Sequence, residues 1–290
     1  MANKKMVDDP KPSAGLAARK VVAYIVLGIL SFICLFFFYL LLVNATRAHS
    51  DIMKGFSPFF GKKLISNYKG LMSHDNLPVI RGMLNSLFIS TCCAILCTYF
   101  SSLTAYAIHA YDFKFKTAIF NFILLVMTIP AQVSALGFVK EMYKFNLINS
   151  YIPLIIPTIA APSVFFFMKQ YMDSSLPMEI IEASRIDGSG EFRTFNAIVL
   201  PIMKPALSVQ AIFSFVGTWN NYFTPNLIIS KDNMKTLPIL IATLRAADYL
   251  KFNMGEVYMM IALSIFPVVI IYLWLSKYIV AGVALGSVKG

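Results

Sequence analysis

The chain has 290 residues, of which 58% are hydrophobic and only 13% charged. A soluble domain of this length needs far more polar surface to cover its core. The net charge of +11 does not point to nucleic acid, because Lys and Arg sit in loops and tails beside long apolar blocks. The blocks are about 20 residues long, the length of a helix that crosses a bilayer. The alternating ten-residue segments of an outer-membrane barrel are not seen. Cys34, Cys92, Cys93 and Cys97 all fall inside apolar blocks, fit no zinc spacing, and read as small buried hydrophobes that imply no disulfide.

In chain order, residues 1–20 form a polar tail carrying Lys4, Lys5, Lys11, Arg19 and Lys20. Residues 21–43 are uncharged, too long for the apolar region of a signal peptide, and give the first expected span. A polar connection, 44–82, follows. Its Asn44-Ala45-Thr46 sequon is weak on its own. Gly61-Lys62 makes no phosphate loop, because Lys63 stands where Ser or Thr is required. Further spans are expected at 83–110, 117–139, 151–171, 202–225 and 256–281. Pro130 interrupts the third, and Pro153, Pro157 and Pro162 bend the fourth. A short basic turn lies at 111–116 and a second long polar loop at 226–255.

These features predict an all-α membrane protein with six transmembrane helices and both termini on one side. Lys and Arg divide almost evenly between the two sides. The basic N-terminal tail and the short turn 111–116 favour cytoplasmic termini, since long loops count less in the positive-inside rule.

The stretch with regular charge, 179–205, lies between the fourth and fifth spans and reads EIIEASRIDGSGEFRTFNAIVLPIMKP. It predicts two short helices outside the bilayer, parted at Asp187-Gly188 and stopped at Pro201. Ser174 or Ser175 is expected to cap the first, with Pro177 in its first turn. Gly188 suits the left-handed residue that ends a helix. Ser189 is placed to cap the second piece, whose Phe192, Phe195 and Ile198 are expected against the membrane frame. On physical grounds alone an ordinary amphipathic linker remains open.

The spacing Glu182-Ala183-Ser184, then Gly188, then Ile198-Val199-Leu200-Pro201 resembles the E-A-A…G…I-x-L-P signature of ABC importer permeases, with Ser184 in place of the second alanine. Asn85-Ser86-Leu87, Ala105-Tyr106-Ala107, Met127-Thr128-Ile129-Pro130 and Trp219-Asn220-Asn221-Tyr222 are similar to segments of the binding-protein-dependent sugar permeases. The ending 282–290 is similar to the tail of the maltose-type second permease, with Ala284 replacing Thr and Leu285 a small residue.

The resemblance covers nearly the whole chain from about residue 20 and implies a type I ABC importer permease fold with a cytoplasmic coupling helix. It implies a heterodimer with a second homologous permease, two ATPase subunits, and an extracytoplasmic sugar-binding protein. No cofactor is expected in this chain; ATP and Mg would be bound by the partner ATPase. Glu182, Ala183, Ser184, Asp187 and Gly188 would couple to the ATPase, and the tail residues Gly286, Ser287 and Lys289 would reach it.

The expected spans hold almost no acidic groups, whereas proton- or sodium-driven carriers place such groups deep in the bilayer. His109, Lys169 and Glu256 lie near span ends, so the energy source is expected in a partner. Sugar sites need flat aromatic faces and hydrogen-bonding amides. Trp219, Asn220, Asn221 and Tyr222 offer both, and Gln132 is a further candidate, with helix–helix glue as the alternative. Asp248, Tyr249 and Lys251 are expected contacts of the binding protein. The first hypothesis is therefore the permease subunit of an ATP-driven oligosaccharide importer in a bacterial cytoplasmic membrane. A self-sufficient carrier or channel and a membrane-embedded enzyme are the alternatives.

Overall fold

The computed structural model describes residues 14–74, 77–246 and 253–286. All regular structure among them is helical. A bilayer interior offers no partner for an unpaired backbone group, so the chain satisfies its own. α1 (Ala14–Ala45) is followed by two short helices, α2 (His49–Met53) and α3 (Leu64–Met72). α4 (Val79–Ala110) is the central rod, and α5 (Lys116–Val126) and α6 (Ala131–Lys144) come next. α7 (Ile152–Ile155) runs through a 3-10 turn into α8 (Pro162–Ser175). α9 (Met178–Ile186), α10 (Glu191–Thr194) and α11 (Leu200–Ile202) lead to α12 (Lys204–Trp219). α13 (Phe223–Ile228), α14 (Leu237–Arg245) and α15 (Met254–Gly286) complete the chain.

Four described helices are long and apolar enough to cross a membrane: Arg19–Ala45, Val79–Ala110, Ile152–Ser175 and Met254–Lys277. The pair Glu191–Ile202 and Lys204–Trp219, bent by 81°, makes a fifth if it counts as one span. The third expected span is not one helix. α5 stops at Val126, and Pro130 sits at the N-cap of α6 with extended backbone, because proline cannot donate and its ring disfavours a helical residue before it. The fourth is divided by the 3-10 turn at Ile156–Ile159, which contains Pro157.

α1 exposes Tyr24, Leu27, Phe32 and Leu35, as a helix does when its solvent is lipid. Cys34 is exposed with them, unlike the buried Cys93 and Cys97. α4 is packed most extensively, against α12 and α8 along its length and α14 near its start.

Among the described residues, the two expected polar connections contain helices that their charge does not suggest. The second holds α14, whose Leu237, Ile239, Leu240 and Leu244 are buried. Asn85 donates to the carbonyls of Asn233 and Lys235 at 3.0 Å each, and Ser86 Oγ accepts from Leu237 N at 2.8 Å. The family-like Asn85-Ser86 pair thus fixes the start of α14 against α4.

In the first connection, Thr46 Oγ1 donates to Val43 O at 2.6 Å and accepts from Gly61 N at 2.7 Å. Asn67 donates to the carbonyls of Ala45 and Arg47 at 2.8 and 2.9 Å. Glu256 pairs with His74 Nε2 at 2.7 Å and accepts from Asn253 at 2.9 Å. The ends of α1, α3 and α15 are thereby locked together.

A methyl group on Gly61 would lie 2.4 Å from Thr46 O and 2.8 Å from Arg47 Cα, both backbone atoms that cannot swing aside. Gly61→Ala is therefore expected to destabilise by about 1–3 kcal/mol. A lower midpoint in thermal unfolding of detergent-solubilised protein checks it, and an unchanged midpoint contradicts this packing.

Candidate functional site

α9 begins at Pro177, which is the N-cap itself with extended backbone and no side-chain cap. The expected serine cap is not made, since Ser174 and Ser175 belong to the last turn of α8 and Ser174 Oγ donates to Tyr171 O at 3.0 Å. Pro177 does the work instead by fixing φ at −61°. At the other end Gly188 has φ +75°. Ser189 N donates to Ser184 O at 2.9 Å and Gly188 N to Arg185 O at 3.0 Å. These two bonds make a Schellman motif, which consumes carbonyls the helix end would leave unpaired.

α10 starts at Gly190, and Ser189 does not cap it. The Ser189 hydroxyl instead accepts from Thr194 Oγ1 at 3.0 Å, and Thr194 Oγ1 lies 3.2 Å from Ser184 Oγ. Ser184 Oγ also lies 2.7 Å from Ile181 O. Ser184 and Thr194 are buried, so a chain of three hydroxyls pins α9 to α10. The serine in place of the signature's second alanine is an internal fastener and does not face outward.

The opposite side of α9 is open: Glu182, Ala183, Asp187 and Gly188 are exposed, and Ile186 is 87% exposed. Phe192 is 71% exposed and joins this surface, contrary to its expected place against the frame. Phe195 is buried as expected, Ile198 is only partly so, and Val199 is buried beside them. A π-turn at Phe195–Val199, in which Leu200 N donates to Phe195 O, rotates the helix face ahead of Pro201.

A second set of bonds ties this segment to the end of α4. Arg185 Nε donates to Glu191 Oε1 at 2.7 Å, and Tyr106 OH donates to Glu191 Oε2 at 2.6 Å. The Arg185 guanidinium lies 5.2 Å from the centre of the Tyr111 ring and reaches Ala110 O at 3.4 Å. Nearby, His109 Nε2 is 3.0 Å from Leu176 O and Nδ1 is 3.0 Å from Asp173, which also binds Lys169. Arg185 and Glu191 are each more than a third exposed, so their pairing alone stabilises by less than about 1 kcal/mol. Its weight lies in fixing the direction of α9 against α4.

The expected substrate-path residues do not act as one group. Trp219 is 3% exposed and stacked on Phe215 at 5.8 Å, which assigns its ring to packing. Trp219, Asn220 and Tyr222 border a cavity of about 320 Å³ that also meets Arg245. Asn221 borders a different cavity, of about 360 Å³, between α4, α6, α7 and α13. Gln132 is exposed near the start of α6 and borders neither. Asp248, Tyr249, Lys251, Ser287 and Lys289 lie outside the described residues, and Gly286 is the last residue of α15. Sequence reading missed Thr194, Glu191 and Tyr106, whose importance depends on contacts across 10 to 85 positions.

Thr194→Val removes the middle hydroxyl of the pin and is expected to cost about 1–3 kcal/mol. A lowered thermal midpoint checks it. If the midpoint does not move, the hydroxyl chain contributes nothing.

A profile of the family described as "Binding-protein-dependent transport system inner membrane component" matches residues 98–285. The chain is 32% identical over 267 residues to the arabinooligosaccharides transport system permease protein AraQ of Bacillus subtilis, covering 90% of this chain and 92% of that one. It is 37% identical over 209 residues to the protein of the same name from Halalkalibacterium halodurans, covering 71% and 73%. It is 29% identical over 275 residues to the trehalose/maltose transport system permease protein MalG of Thermococcus litoralis, covering 94% and 98%. The fold matches a chain of a bacterial ABC transporter involved in the import of the acidic polysaccharide alginate, with a TM-score of 0.78 at 19% identity over 93% of this chain and 99% of that one. The carrier or channel alternative is not favoured by such relatives. Helical frame, exposed α9 and these likenesses agree, and the chain belongs to the inner-membrane permease components of binding-protein-dependent ABC transport systems.

Proposed function

We propose that the chain forms half of the translocation path of an ATP-driven importer for an oligosaccharide delivered by an extracytoplasmic binding protein. Relatives named for arabinooligosaccharides, lactose, and trehalose/maltose support the sugar class. A second permease subunit completes the path, and two ATPase subunits that bind ATP and Mg supply the work. In this reading both termini lie in the cytoplasm of a bacterial cell, the span domain covers 21–281, and the tail residues Gly286, Ser287 and Lys289 contact the ATPase.

The observation that carries this reading is the geometry of α9. A two-and-a-half-turn helix stands exposed beside the end of the central rod and is fastened there by Ser184, Thr194 and Ser189 on one side and by Arg185, Glu191 and Tyr106 on the other. The exposed Glu182, Ala183, Asp187 and Gly188, with Ile186 between them, form the docking surface for the ATPase. Ser184 contributes by holding that surface in place. A lever must be stiff at both joints, and displacement of α9 then moves α4 and the helices packed on it.

Glu182→Lys reverses a charge on the docking surface. Gly188→Pro removes the N–H donor of the Schellman bond and forbids the positive φ. Each is expected to leave membrane insertion intact and to lower binding-protein-stimulated ATP hydrolysis at least tenfold in the reconstituted transporter. Hydrolysis at the wild-type rate in both variants would remove α9 from the coupling role.

A further inference from the structure

The cavity beside Asn221 carries a ligand signature of its own. Its volume is about 360 Å³, at the lower end of the range for small-molecule sites. Ser90 and Thr236 line it, are 1% and 4% exposed, and bury hydroxyl oxygens that have no hydrogen-bond partner. Among the described residues, these are the only two buried side-chain polar atoms left unpartnered. That both fall in one cavity is hard to ascribe to packing, because an unpartnered buried hydroxyl is costly.

Thr236 occupies the N-cap of α14, where a threonine ordinarily accepts from its own helix. It makes no such bond, and Ser86 takes Leu237 N instead. The Thr236 hydroxyl is thus left to the cavity.

The remaining wall is chemically specific. Ser134, Thr158, Thr218, Asn221 and Thr224 add neutral hydroxyl and amide groups. Phe138, Phe223, Pro153 and Pro157 add flat apolar faces. None of the described lining residues is charged. A sugar ring presents C–H faces to flat apolar groups and a rim of hydroxyls to neutral donors and acceptors. A carboxylate or phosphate placed here would be buried with no cation from the wall to meet it.

The site lies about 30 Å from the α9 junction, since Ser90 and Ala110 are separated by twenty positions of one continuous helix. We propose that this subunit holds its own cargo subsite in this cavity, built for one uncharged sugar ring, with Ser90 and Thr236 as the anchoring hydroxyls. The proposal rests on the importer reading above. It adds that the transported saccharide is neutral at the unit this subunit grips.

The test uses the complete transporter, with its partner permease, ATPase and binding protein, in ATP-loaded proteoliposomes. Labelled maltotriose and arabinotriose are the neutral probes and trigalacturonic acid the acidic one. Sugar delivered per ATP hydrolysed is the readout. The Ser90→Ala/Thr236→Val double variant is expected to deliver at least fivefold less neutral sugar per ATP while binding-protein-stimulated hydrolysis persists, each lost hydroxyl bond being worth up to about tenfold. Ser90→Thr and Thr236→Ser, which keep the hydroxyls, are expected to stay within twofold of wild type. Unchanged delivery per ATP in the double variant overturns the subsite and leaves the importer reading standing. So does a parallel loss of hydrolysis and delivery, which a damaged fold produces. Wild-type transport of trigalacturonic acid alone overturns the uncharged class, and transport of no saccharide overturns both readings.

Discussion

A stripe of small side chains along α4 is the constraint on which the rest of the molecule depends. Gly82, Ser86, Ser90, Cys93, Cys97, Ser101 and Ala105 are all buried and follow one another at three- or four-residue steps. Lipid is as apolar as leucine, so helices inside a bilayer gain little by hiding large apolar groups from it. They associate through close packing, which small residues permit. The stripe meets the start of α14 at Gly82 and Ser86, α7 at Cys93 and the start of α8 at Ser101. Other hydroxyls of the helix are satisfied within it, as when Thr98 Oγ1 donates to Ala94 O at 2.7 Å and Ser102 Oγ to Tyr99 O at 2.8 Å, whereas Ser90 Oγ has no partner.

The two ends of this rod carry different chemistry. At its C-terminal end the contacts are charged or strongly polar: Tyr106 with Glu191, the Ala110 carbonyl with Arg185, His109 with Asp173 and Leu176. Toward its N-terminal end they are neutral, with Asn85 and Ser86 holding the start of α14 and Ser90 facing an uncharged cavity. A continuous helix joins them, so the geometry of one end is stiffly related to that of the other. The neighbouring elements are interrupted where α4 is not: before Pro130, through the 3-10 turn at Pro157, and at Met203, where the chain bends by 81°. Each interruption lies within two residues of a proline, the residue that cannot complete a helical hydrogen bond.

Much of this was legible in the residues. The apolar blocks lie on helices, Gly188 has the left-handed backbone its place after an amphipathic run requires, and the segment after the fourth span is two short helices. Other features were misread for identifiable reasons. The 226–255 stretch was judged by its charge, yet Thr236-Leu237-Pro238 is a helix-start pattern and Leu237, Leu240 and Leu244 repeat at helical spacing. Ser174 and Ser189 are good capping residues by type, but proline and glycine took those positions because the chain turns sharply there. The π-turn at Phe195–Val199 shifts the helical period after Phe195, so Val199 is buried where Ile198 was expected, while Phe192, ahead of the turn, is exposed.

The sequence by itself determined that this is a helical membrane protein, that its helices break at prolines, and that the segment around Gly188 is two short helices parted by a left-handed glycine. Those properties follow from hydropathy, proline and glycine, which act locally. Only the tertiary structure decided that Ser184 is a fastener, that Trp219 packs on Phe215 apart from Asn221, and that Ser90 and Thr236 share one cavity. Ser90 and Thr236 lie 146 positions apart in the chain. Whether a hydroxyl is partnered is settled by what another helix brings beside it, and no local pattern carries that information.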